Sequence, residues 1–465
     1  MMSCPAFLIS APASGQGKTS VTAAMARSAC RRGLRVRVFK TGPDYLDPMV
    51  LERASGQTVY QLDLFMGGEA HCRELLTRAS EDSDLILVEG VMGLFDGKPS
   101  SADLAATFGL PVIVVMDASA MAQTFAALAT GLARFRDDIR VAGIVANRVG
   151  SDAHARMVGE GLPADLPLIA ALKRNEALSL PERHLGLVQA LELPEIDGQL
   201  DAWADVWDAA AESSMKDSVV LEGDDRWPLL RGKGRNSPAG RLVKGGQEEE
   251  GLPVGGLVLG RSLEGRRIAI ATDACFSFIY PANLDQLKRL GAEVIAFSPL
   301  AGDEVPQCDA MWLPGGYPEL HAETLRRHPS FFRAIAAHLD AEKPLLAECG
   351  GMLVLLDELA DADGRRHVMA ALMPGKASMQ KRLAALGLQS IAWPEGELRG
   401  HTFHYSTMET SMEPIATATN PNAGRAAERL YARGSLRASY VHHYFPSNPE
   451  AIAAFFGGAE FNFKN

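Results

Sequence analysis

A short glycine-rich segment near the N-terminus combines the residue types that bind phosphate groups. Gly15 and Gly17 let backbone N–H groups approach phosphate oxygens, and Lys18 supplies a positive charge for the outer phosphates. The hydroxyl of Thr19 is a suitable oxygen ligand for Mg²⁺. An apolar run precedes the segment and a helical pattern follows it, as in a phosphate-binding loop. We therefore predict nucleotide binding at this turn.

This loop departs from the usual phosphate-loop pattern at one position. The pattern requires a glycine separated by four residues from Gly-Lys-Ser/Thr, whereas this chain has Pro12 there. A tight strand-to-helix turn without phosphate binding is the alternative, but the Lys18-Thr19 pair after a strand favours a variant phosphate loop.

Polar side chains also follow other predicted strands of the N-terminal half. Asp44 and Glu89 fall at such strand ends, where open α/β sheets place their ligands. Mg²⁺ needs oxygen ligands besides Thr19 and phosphate, so we predict that Asp44 and Glu89 complete its site; surface charges beside turns are the alternative. Asn147 follows a further strand, and its amide is a candidate for contact with a nucleobase edge.

A second set of reactive residues lies in the C-terminal half. Cys349 stands in a Glu-Cys-Gly-Gly turn between an apolar strand pattern and a helix-like segment. We expect a thiol at such a turn to be exposed, with a pKa lowered by the helix N-terminus. Backbone N–H groups of Gly316 and Gly350 are candidates for an oxyanion hole. A buried structural cysteine is the alternative.

A cysteine nucleophile needs a general base, and two adjacent histidines near the C-terminus offer one. The residues alone leave open whether this base is His442 or His443. His401 and His404 would form a metal-binding pair if they shared a helix face. Because no third ligand is evident, a structural or substrate-contact role is favoured for them.

The elements that would position these residues form a repeating pattern in both halves of the chain. Short apolar runs alternate with longer helical patterns, which predicts an α/β fold with two doubly wound, mainly parallel sheets. Strands are predicted at 6–10, 36–39, 85–88, 112–116, 143–146, 267–272, 294–297, 310–313 and 344–347, and helices at 19–32 and 120–134.

Length and composition fit this division. A chain of 465 residues is too long for one compact core. We predict an N-terminal domain at 1–210, a mobile linker at 211–254 rich in Gly, Pro and mixed charge, and a second domain at 255–465.

Charge and cysteine usage exclude several classes of protein. The formal net charge of −11 argues against a general nucleic-acid or anionic-membrane binder. The apolar N-terminus lacks a basic leading region, so a first strand is favoured over a signal peptide. The sequence contains no run of about 20 apolar residues, so no membrane span is predicted. Six cysteines without a C-x-x-C pair suggest neither a zinc site nor a disulfide framework. Reduced thiols in the cytoplasm are the expectation.

These segments resemble the cobyrinic acid (or hydrogenobyrinic acid) a,c-diamide synthase family, in which a dethiobiotin-synthetase-like amidoligase is fused to a class I glutaminase. The resemblance rests on the glycine-rich loop, on segments 40–48 and 89–97 and on the Cys349 turn, and it spans nearly the whole chain apart from the linker. It implies that Lys40 contacts the nucleotide. It also implies that five residues surround the corrin carboxylates and the γ-phosphate of ATP: Asp44, Tyr45, Leu46, Glu89 and Asp96.

The same resemblance implies the reaction and its cofactors. ATP and Mg²⁺ would activate carboxylates of a corrin polycarboxylate as acyl phosphates, and L-glutamine would supply ammonia. The usual class I glutamate two residues after the catalytic histidine is absent, since position 444 is Tyr444. That departure fits a subtype with a Cys–His dyad, and the family pattern favours His442 as the base.

Other functions remain as alternatives. Cobyric acid synthase amidates other side chains of the same macrocycle, and a phosphate-loop ATPase could carry a second domain that only binds a ligand. A carboxylating enzyme of the dethiobiotin synthetase type has no need of a glutaminase. The sequence leaves open whether the corrin contains cobalt, whether nickel sirohydrochlorin is the substrate instead, and whether the chain forms a homodimer.

Overall fold

The computed structural model describes residues 4–175, 195–216, 262–422 and 427–459. The chain divides into two compact units, Met1–Glu248 and Glu249–Asn465. Each unit contains a seven-stranded sheet flanked by helices, which confirms the predicted α/β class. Most of the predicted linker lies outside the described residues. Its described part, 211–216, is helical, so helix replaces linker there.

The first unit is built on a seven-stranded parallel sheet. Its strands are β1 (Ala6–Ser10), β2 (Val36–Thr41), β3 (Tyr60–Leu62), β4 (Leu85–Glu89), β5 (Val112–Asp117), β6 (Val141–Val149) and β7 (Leu168–Lys173), in the order β3-β2-β4-β1-β5-β6-β7. Its helices are α1 (Lys18–Arg31), α2 (Leu46–Ser55), α3 (Gly68–Asp82), α4 (Ser101–Phe108), α5 (Thr124–Ala133), α6 (Asp152–Gly159) and α7 (Ile196–Lys216).

Burial on both faces explains the near-continuous apolar strands of this sheet. Every residue of β1 and β4 is buried, and a hydrophobic cluster lies on each side of the sheet. Helix α7 closes one side with the buried Trp207 and with ion pairs from Arg27 to Asp201 and from Arg31 to Asp205, both 2.7 Å long. Because all seven strands are parallel, the loops after β1, β2, β4 and β6 emerge at one edge of the sheet.

The structure extends several predicted elements and adds two strands to the first sheet. The predicted strands at 36–39, 85–88, 112–116 and 143–146 all run further toward their C-termini, and the helix predicted from residue 120 begins at Thr124. Strands β3 and β7 were not predicted. Strand β3 has only three residues, and such a short segment carries too little periodicity to be recognised.

The second unit contains a mixed seven-stranded sheet. Its strands are β8 (Arg267–Ala271), β9 (Glu293–Phe297), β10 (Ala310–Leu313), β11 (Leu345–Glu348), β18 (Ala416–Thr417), β19 (Arg429–Arg433) and β20 (Leu436–Ser439), in the order β18-β19-β20-β11-β10-β8-β9. Its helices are α8 (Pro281–Arg289), α9 (Pro318–Arg326), α10 (Pro329–Asp340), α11 (Gly350–Leu353) and α12 (Pro449–Gly457).

This sheet was predicted to be mainly parallel, but one side of it is antiparallel. Strands β19 and β20 pair antiparallel, as do β18 and β19. Two smaller sheets complete the unit. One contains β12 (Glu358–Ala360), β13 (Arg366–Val368), β14 (Lys376–Met379) and β17 (Ser406–Glu409), and the other contains β15 (Ala385–Trp393), β16 (Gly396–His404) and β21 (His442–His443). The second small sheet carries the two adjacent histidines.

Candidate active sites of the two units

The glycine-rich loop after β1 curls around the side chain of Lys18. Gly15 and Gly17 have φ angles of 77° and 95°, a left-handed conformation that glycine adopts without steric cost. The ammonium of Lys18 donates hydrogen bonds to the carbonyl oxygens of Met92, at 2.6 Å, and Ala13, at 3.2 Å. Burial and the nearby Lys40 ammonium lower the pKa of Lys18. The loop therefore has the conformation that brings backbone N–H groups and one cation to a phosphate.

Two amide side chains fasten this loop to the neighbouring strand ends. Gln16 accepts a hydrogen bond from the backbone N–H of Asp117 at 2.7 Å, and Asn147 Nδ2 donates to the carbonyl oxygen of Gln16 at 2.9 Å. A Cβ added to Gly17 would lie 2.3 Å from Asn147 Nδ2. Asn147 therefore packs against the loop itself, and its contact with a nucleobase stays a prediction.

Lys40 on β2 contacts three carboxylates, which lie in the turn after β2, in the first turn of α2 and at the end of β4. Its Nζ lies 2.6 Å from Asp47 Oδ2, 2.9 Å from Glu89 Oε1 and 3.4 Å from Asp44 Oδ2. Glu89 Oε1 also accepts a hydrogen bond from the Thr19 hydroxyl at 2.7 Å. The structure thus brings the predicted residues Thr19, Lys40, Asp44 and Glu89 together, and it adds Asp47.

The charges of this cluster are strongly perturbed. Burial opposes the charge of Lys40, but Asp47, Glu89 and Asp44 together hold its pKa well above the ordinary value. Burial and the adjacent Asp47 raise the pKa of Asp44 to about 7. Burial also raises the pKa of Glu89. Despite its own burial, Asp47 has a lowered pKa because Lys40 lies so close.

The oxygen donors of the cluster fit Mg²⁺. Mg²⁺ is usually held by one or two carboxylates together with phosphate oxygens and water, so a complete protein cage is not needed. Within the described ranges, no group of three or more acidic, histidine or cysteine side chains has metal-ligand geometry. Glu89 Oε2 is nevertheless buried and has no hydrogen-bond partner among the residues that the structure describes. This unpaired oxygen, the Thr19 hydroxyl and the Asp44 carboxylate are suitable donors.

The remaining predicted residues of the first unit lie around the same loop. Asp96 Oδ2 accepts a hydrogen bond from the backbone N–H of Gly93 at 2.9 Å. A Cβ on Gly93 would lie 2.6 Å from the carbonyl oxygen of Pro12, so the Asp96 segment packs against the phosphate loop. Asp44 Oδ1 accepts hydrogen bonds from the N–H groups of Leu46 and Asp47 at the start of α2. Tyr45 lies in that same turn.

In the second unit, Cys349 occupies a tight turn between β11 and α11. Its φ angle is 45°, which is unusual for a residue other than glycine and is typical of strained functional turns. A Cβ on Gly351 would lie 2.1 Å from the carbonyl oxygen of Leu313, and one on Gly350 would lie 2.9 Å from the backbone nitrogen of Gly316. The two predicted oxyanion-hole glycines are therefore in direct contact beside Cys349.

Gly315 lies between the thiol and one of the two histidines. A Cβ added to it would lie 2.2 Å from His442 Cε1 and 3.3 Å from Cys349 Cβ. The absent side chain therefore leaves the space in which the imidazole approaches the cysteine. His442 and Cys349 are distant in the sequence, and both side chains contact the space beside the Cα atom of Gly315.

His443 is directed to different partners. Its Nδ1 lies 2.8 Å from Glu348 Oε1, and the same oxygen accepts its backbone N–H at 2.9 Å. Glu348 Oε2 accepts a hydrogen bond from Trp312 Nε1 at 3.0 Å. Neighbouring residues of a strand point to opposite faces. The side chain of His443 is therefore directed toward Glu348, on the face opposite to that of His442. This geometry favours His442 as the base.

The predicted exposure and low pKa of the nucleophile are wrong for this structure. Cys349 is only 5% exposed, and burial raises the pKa of its thiol well above the usual range. Helix α11 has only four residues, so its dipole offers little compensation. Burial and the adjacent His401 likewise lower the pKa of His442. Burial therefore disfavours the charged forms of both the thiol and the imidazole.

Sequence reasoning also passed over three residues of these sites: Asp47, Glu348 and Tyr280. Two of them had a signal, because Asp47 lies three residues after Asp44 and Glu348 directly precedes Cys349. The contact of Tyr280 with His401, which is 121 positions away in the chain, is a tertiary property that the sequence does not show.

Comparison with known proteins agrees with the two sites. Residues 7–188 match the CobQ/CobB/MinD/ParA nucleotide binding domain, and residues 267–450 match the CobB/CobQ-like glutamine amidotransferase domain. Across the described ranges, no helix has the length and apolar character needed to span a membrane.

Several relatives align with almost the whole chain. Hydrogenobyrinate a,c-diamide synthase of Pseudomonas aeruginosa is 52% identical over 97% of both chains, and that of Stutzerimonas stutzeri is 51% identical over 97% of this chain and 98% of its own. Cobyrinate a,c-diamide synthase of Herminiimonas arsenicoxydans is 47% identical over 97% of this chain and 96% of its own. The chain therefore belongs to the family of hydrogenobyrinate and cobyrinate a,c-diamide synthases.

Proposed function

We propose that this chain is an ATP- and glutamine-dependent ligase that amidates the a and c acetate carboxylates of cobyrinic or hydrogenobyrinic acid in cobalamin biosynthesis. The observation that carries the proposal is the presence, in one chain, of a phosphate loop with a Lys40–carboxylate cluster and a Cys349–His442 pair flanking Gly315. The first can activate a carboxylate and the second can release ammonia. The names of the relatives supply the substrate.

The glutaminase half begins at Cys349. His442 accepts the thiol proton, and the sulfur attacks the side-chain amide carbon of glutamine. The N–H groups of Gly316 and Gly350 stabilise the oxyanion. His442 returns the proton to the leaving nitrogen, which departs as ammonia and leaves a γ-glutamyl thioester. Water then hydrolyses the thioester to glutamate and restores the thiol. A free thiol is required throughout, which suits a reducing cytoplasm, and all six cysteines are unpaired.

The ligase half uses the residues around Lys18. Lys18 and Lys40 stabilise negative charge on the phosphoryl group while an oxygen of the substrate carboxylate attacks the γ-phosphorus of ATP. ADP leaves, and ammonia then displaces phosphate from the acyl phosphate to give the amide. Mg²⁺, held by Thr19, Asp44 and Glu89, would neutralise phosphate charge when bound.

Residues near the acceptor would select and shield the carboxylate. Tyr45 and Leu46 begin α2 next to Asp44, and Asp96 lies beside the phosphate loop. We assign these three to contact with the corrin. Water must be excluded while the acyl phosphate exists, since hydrolysis would waste ATP.

Product analysis tests the proposal directly. The protein is incubated with ATP and Mg²⁺, with either glutamine or a high concentration of ammonium salt, and with a panel of cobalt-containing and metal-free tetrapyrrole carboxylic acids. Mass spectrometry should detect a mono- and then a diamide of one corrin acid. Cys349→Ala should form the same products with ammonia but none with glutamine.

Two outcomes would contradict this function. Amidation at positions other than a and c would favour the cobyric acid synthase alternative. ATP hydrolysis without any amide product from the panel, together with no release of ammonia from glutamine, would point to a phosphate-loop ATPase with a ligand-binding second domain.

A further inference from the structure

The candidate base of the glutaminase lies against another histidine. The rings of His401 and His442 are stacked, with centroids 4.9 Å apart and planes inclined by 20°. Position 444, where the class I pattern has a glutamate, is occupied by the buried Tyr444. His401 therefore stacks on the imidazole of His442, the histidine for which the usual glutamate is missing.

Backbone pairing fixes this stack in register. His401 on β16 lies directly opposite His442 on the antiparallel strand β21, so their side chains share one face of the small sheet. The strands approach unusually closely at the preceding residue, because a Cβ on Gly400 would lie 2.0 Å from the carbonyl oxygen of His442. Glycine at position 400 is thus a condition for the stack.

A tyrosine holds the second ring of the stack. Tyr280 Oη and His401 Nδ1 are 2.9 Å apart, at a fully buried position. The Tyr280 ring also makes a T-shaped contact with the buried Tyr444, with centroids 5.3 Å apart. His401 therefore lies between the Tyr280 hydroxyl, which contacts its Nδ1, and the stacked ring of His442.

We propose that His401 is the positioning residue for the general base His442, and that Tyr280 anchors His401 in turn. This inference rests on the proposed glutaminase function. A planar ring can restrict the rotation of an imidazole as a carboxylate does, but without adding a negative charge next to the thiol. Burial lowers the pKa of His401 to about 3, so the ring is neutral at physiological pH.

The neighbouring ionisable groups support this assignment over metal binding. His404 lies three residues away on the same strand, on the opposite face, where its Nε2 is 3.0 Å from Glu428. His443 is 2.8 Å from Glu348. Both histidines thus have carboxylate partners of their own. Within the described parts of the chain, these histidines form no metal-ligand group.

Two variants separate ring stacking from the rest of the site. His401→Ala removes the stack, whereas the double variant Tyr280→Phe/His401→Phe keeps both aromatic rings and removes their polar contact. Rates of glutamine hydrolysis are measured for each variant and for the wild type. We expect His401→Ala to lower kcat by about tenfold or more, because a misplaced base aligns poorly with the thiol. KM for glutamine should change by less than about twofold, since His401 acts through the base. The double variant should recover most of kcat.

Amidation with ammonia is the control, because it bypasses Cys349 and should be unchanged in all variants. An unchanged kcat in His401→Ala, a loss expressed mainly in KM, or a double variant no more active than His401→Ala would overturn the inference. If His401→Ala fails to fold, Tyr280→Phe alone is decisive. In this single variant the buried Nδ1 of His401 loses this partner and the imidazole rotates out of the stack, whereas the double variant leaves no polar ring atom at position 401. The kcat of the single variant should therefore fall with KM unchanged, and an unaltered kcat would overturn the anchoring role. Absence of glutamine hydrolysis by the wild type would instead reject the proposed function.

Discussion

Lys18 and Lys40 are both buried but have different electrostatic surroundings. Lys18 donates to two backbone carbonyls, which carry no net charge. Lys40 lies within 3.4 Å of three carboxylates, so most of its charge is compensated inside the protein. Of the two, Lys18 therefore offers the larger uncompensated positive charge to a phosphate group.

This difference predicts the effect of Lys18→Ala. Amide synthesis should fall by about 10²–10³-fold with either glutamine or ammonia, because one preorganised charge contact to the transferred phosphoryl group is lost. Glutamine hydrolysis at Cys349 should continue and serves as the control. Steady-state assays of product amide and of glutamate measure the two effects. Unchanged ATP turnover in this variant would remove Lys18 from the ligase site.

Asp44 and Tyr45 are adjacent but should have separable roles. Asp44→Asn should depress synthesis strongly, because a neutral amide cannot replace a carboxylate that pairs with Lys40 and that we propose as a ligand of Mg²⁺. Tyr45→Phe should instead change the ratio of monoamide to diamide, since the second amidation needs the corrin to be repositioned. Chromatographic separation of the two products and ATP titration measure these effects.

The alternative for Tyr45 is a packing residue in a Pro-bounded turn. Accumulated monoamide with near-normal ATP affinity supports a substrate-orienting role. A uniform loss of stability in Tyr45→Phe, with the ratio of monoamide to diamide unchanged, would contradict it.

Side-chain identity predicted the components of both sites but not their environment. Thr19, Asp44 and Glu89 could be grouped from sequence because each follows a strand of one parallel sheet. The burial of Cys349 and the stack on His442 could not be predicted, because each depends on segments more than 30 residues apart in the chain, such as Gly315 and His401.

At the scale of elements, predictability followed the strength of the hydrophobic pattern. The limits of β1 and β10 were predicted correctly. Each of these strands is a buried apolar run that turn-forming residues follow directly, so its end is visible in the sequence. The small sheet of β15, β16 and β21 was missed. Its strand β21 contains only two polar residues, His442 and His443, so its pairing with β16 is a tertiary property.

A substitution in the turn after β10 tests how closely this turn must pack against the strand β21 that carries His442. Gly315→Ala should abolish glutamine-dependent synthesis, because the new Cβ would lie 2.2 Å from His442 Cε1 and displace the base. Overpacking of this kind typically costs about 1–3 kcal/mol, so a lower melting temperature is also expected. Gly457→Ala in α12 is the matched control, since its Cβ would have only an ordinary 3.8 Å contact with Leu263.

Glutaminase rates and thermal melts of both variants decide the outcome. Wild-type glutamine hydrolysis by Gly315→Ala would show that the imidazole has room to move. The placement of His442 beside the thiol would then not be essential for the reaction.

At the scale of the whole molecule, each unit has its own hydrophobic interior. In the described parts of the chain, two clusters lie within the first unit and two others within the second, with no residue shared between units. The phosphate-loop residues all belong to the first unit, and Cys349, His442 and Gly315 all belong to the second. Each half of the reaction can thus be assigned to one core.

This division predicts that the two units fold separately. Chains of residues 1–248 and 249–465 should each unfold in one cooperative thermal transition, because each retains a complete sheet with both faces covered. Circular dichroism measures the transitions and calorimetric titration measures ATP binding by the first chain. For the second chain, iodoacetamide should alkylate Cys349 more slowly when glutamine is present. Lys18→Ala and Cys349→Ala versions of the respective chains are the controls. Aggregation or a non-cooperative transition of either chain would show that its core depends on the other unit.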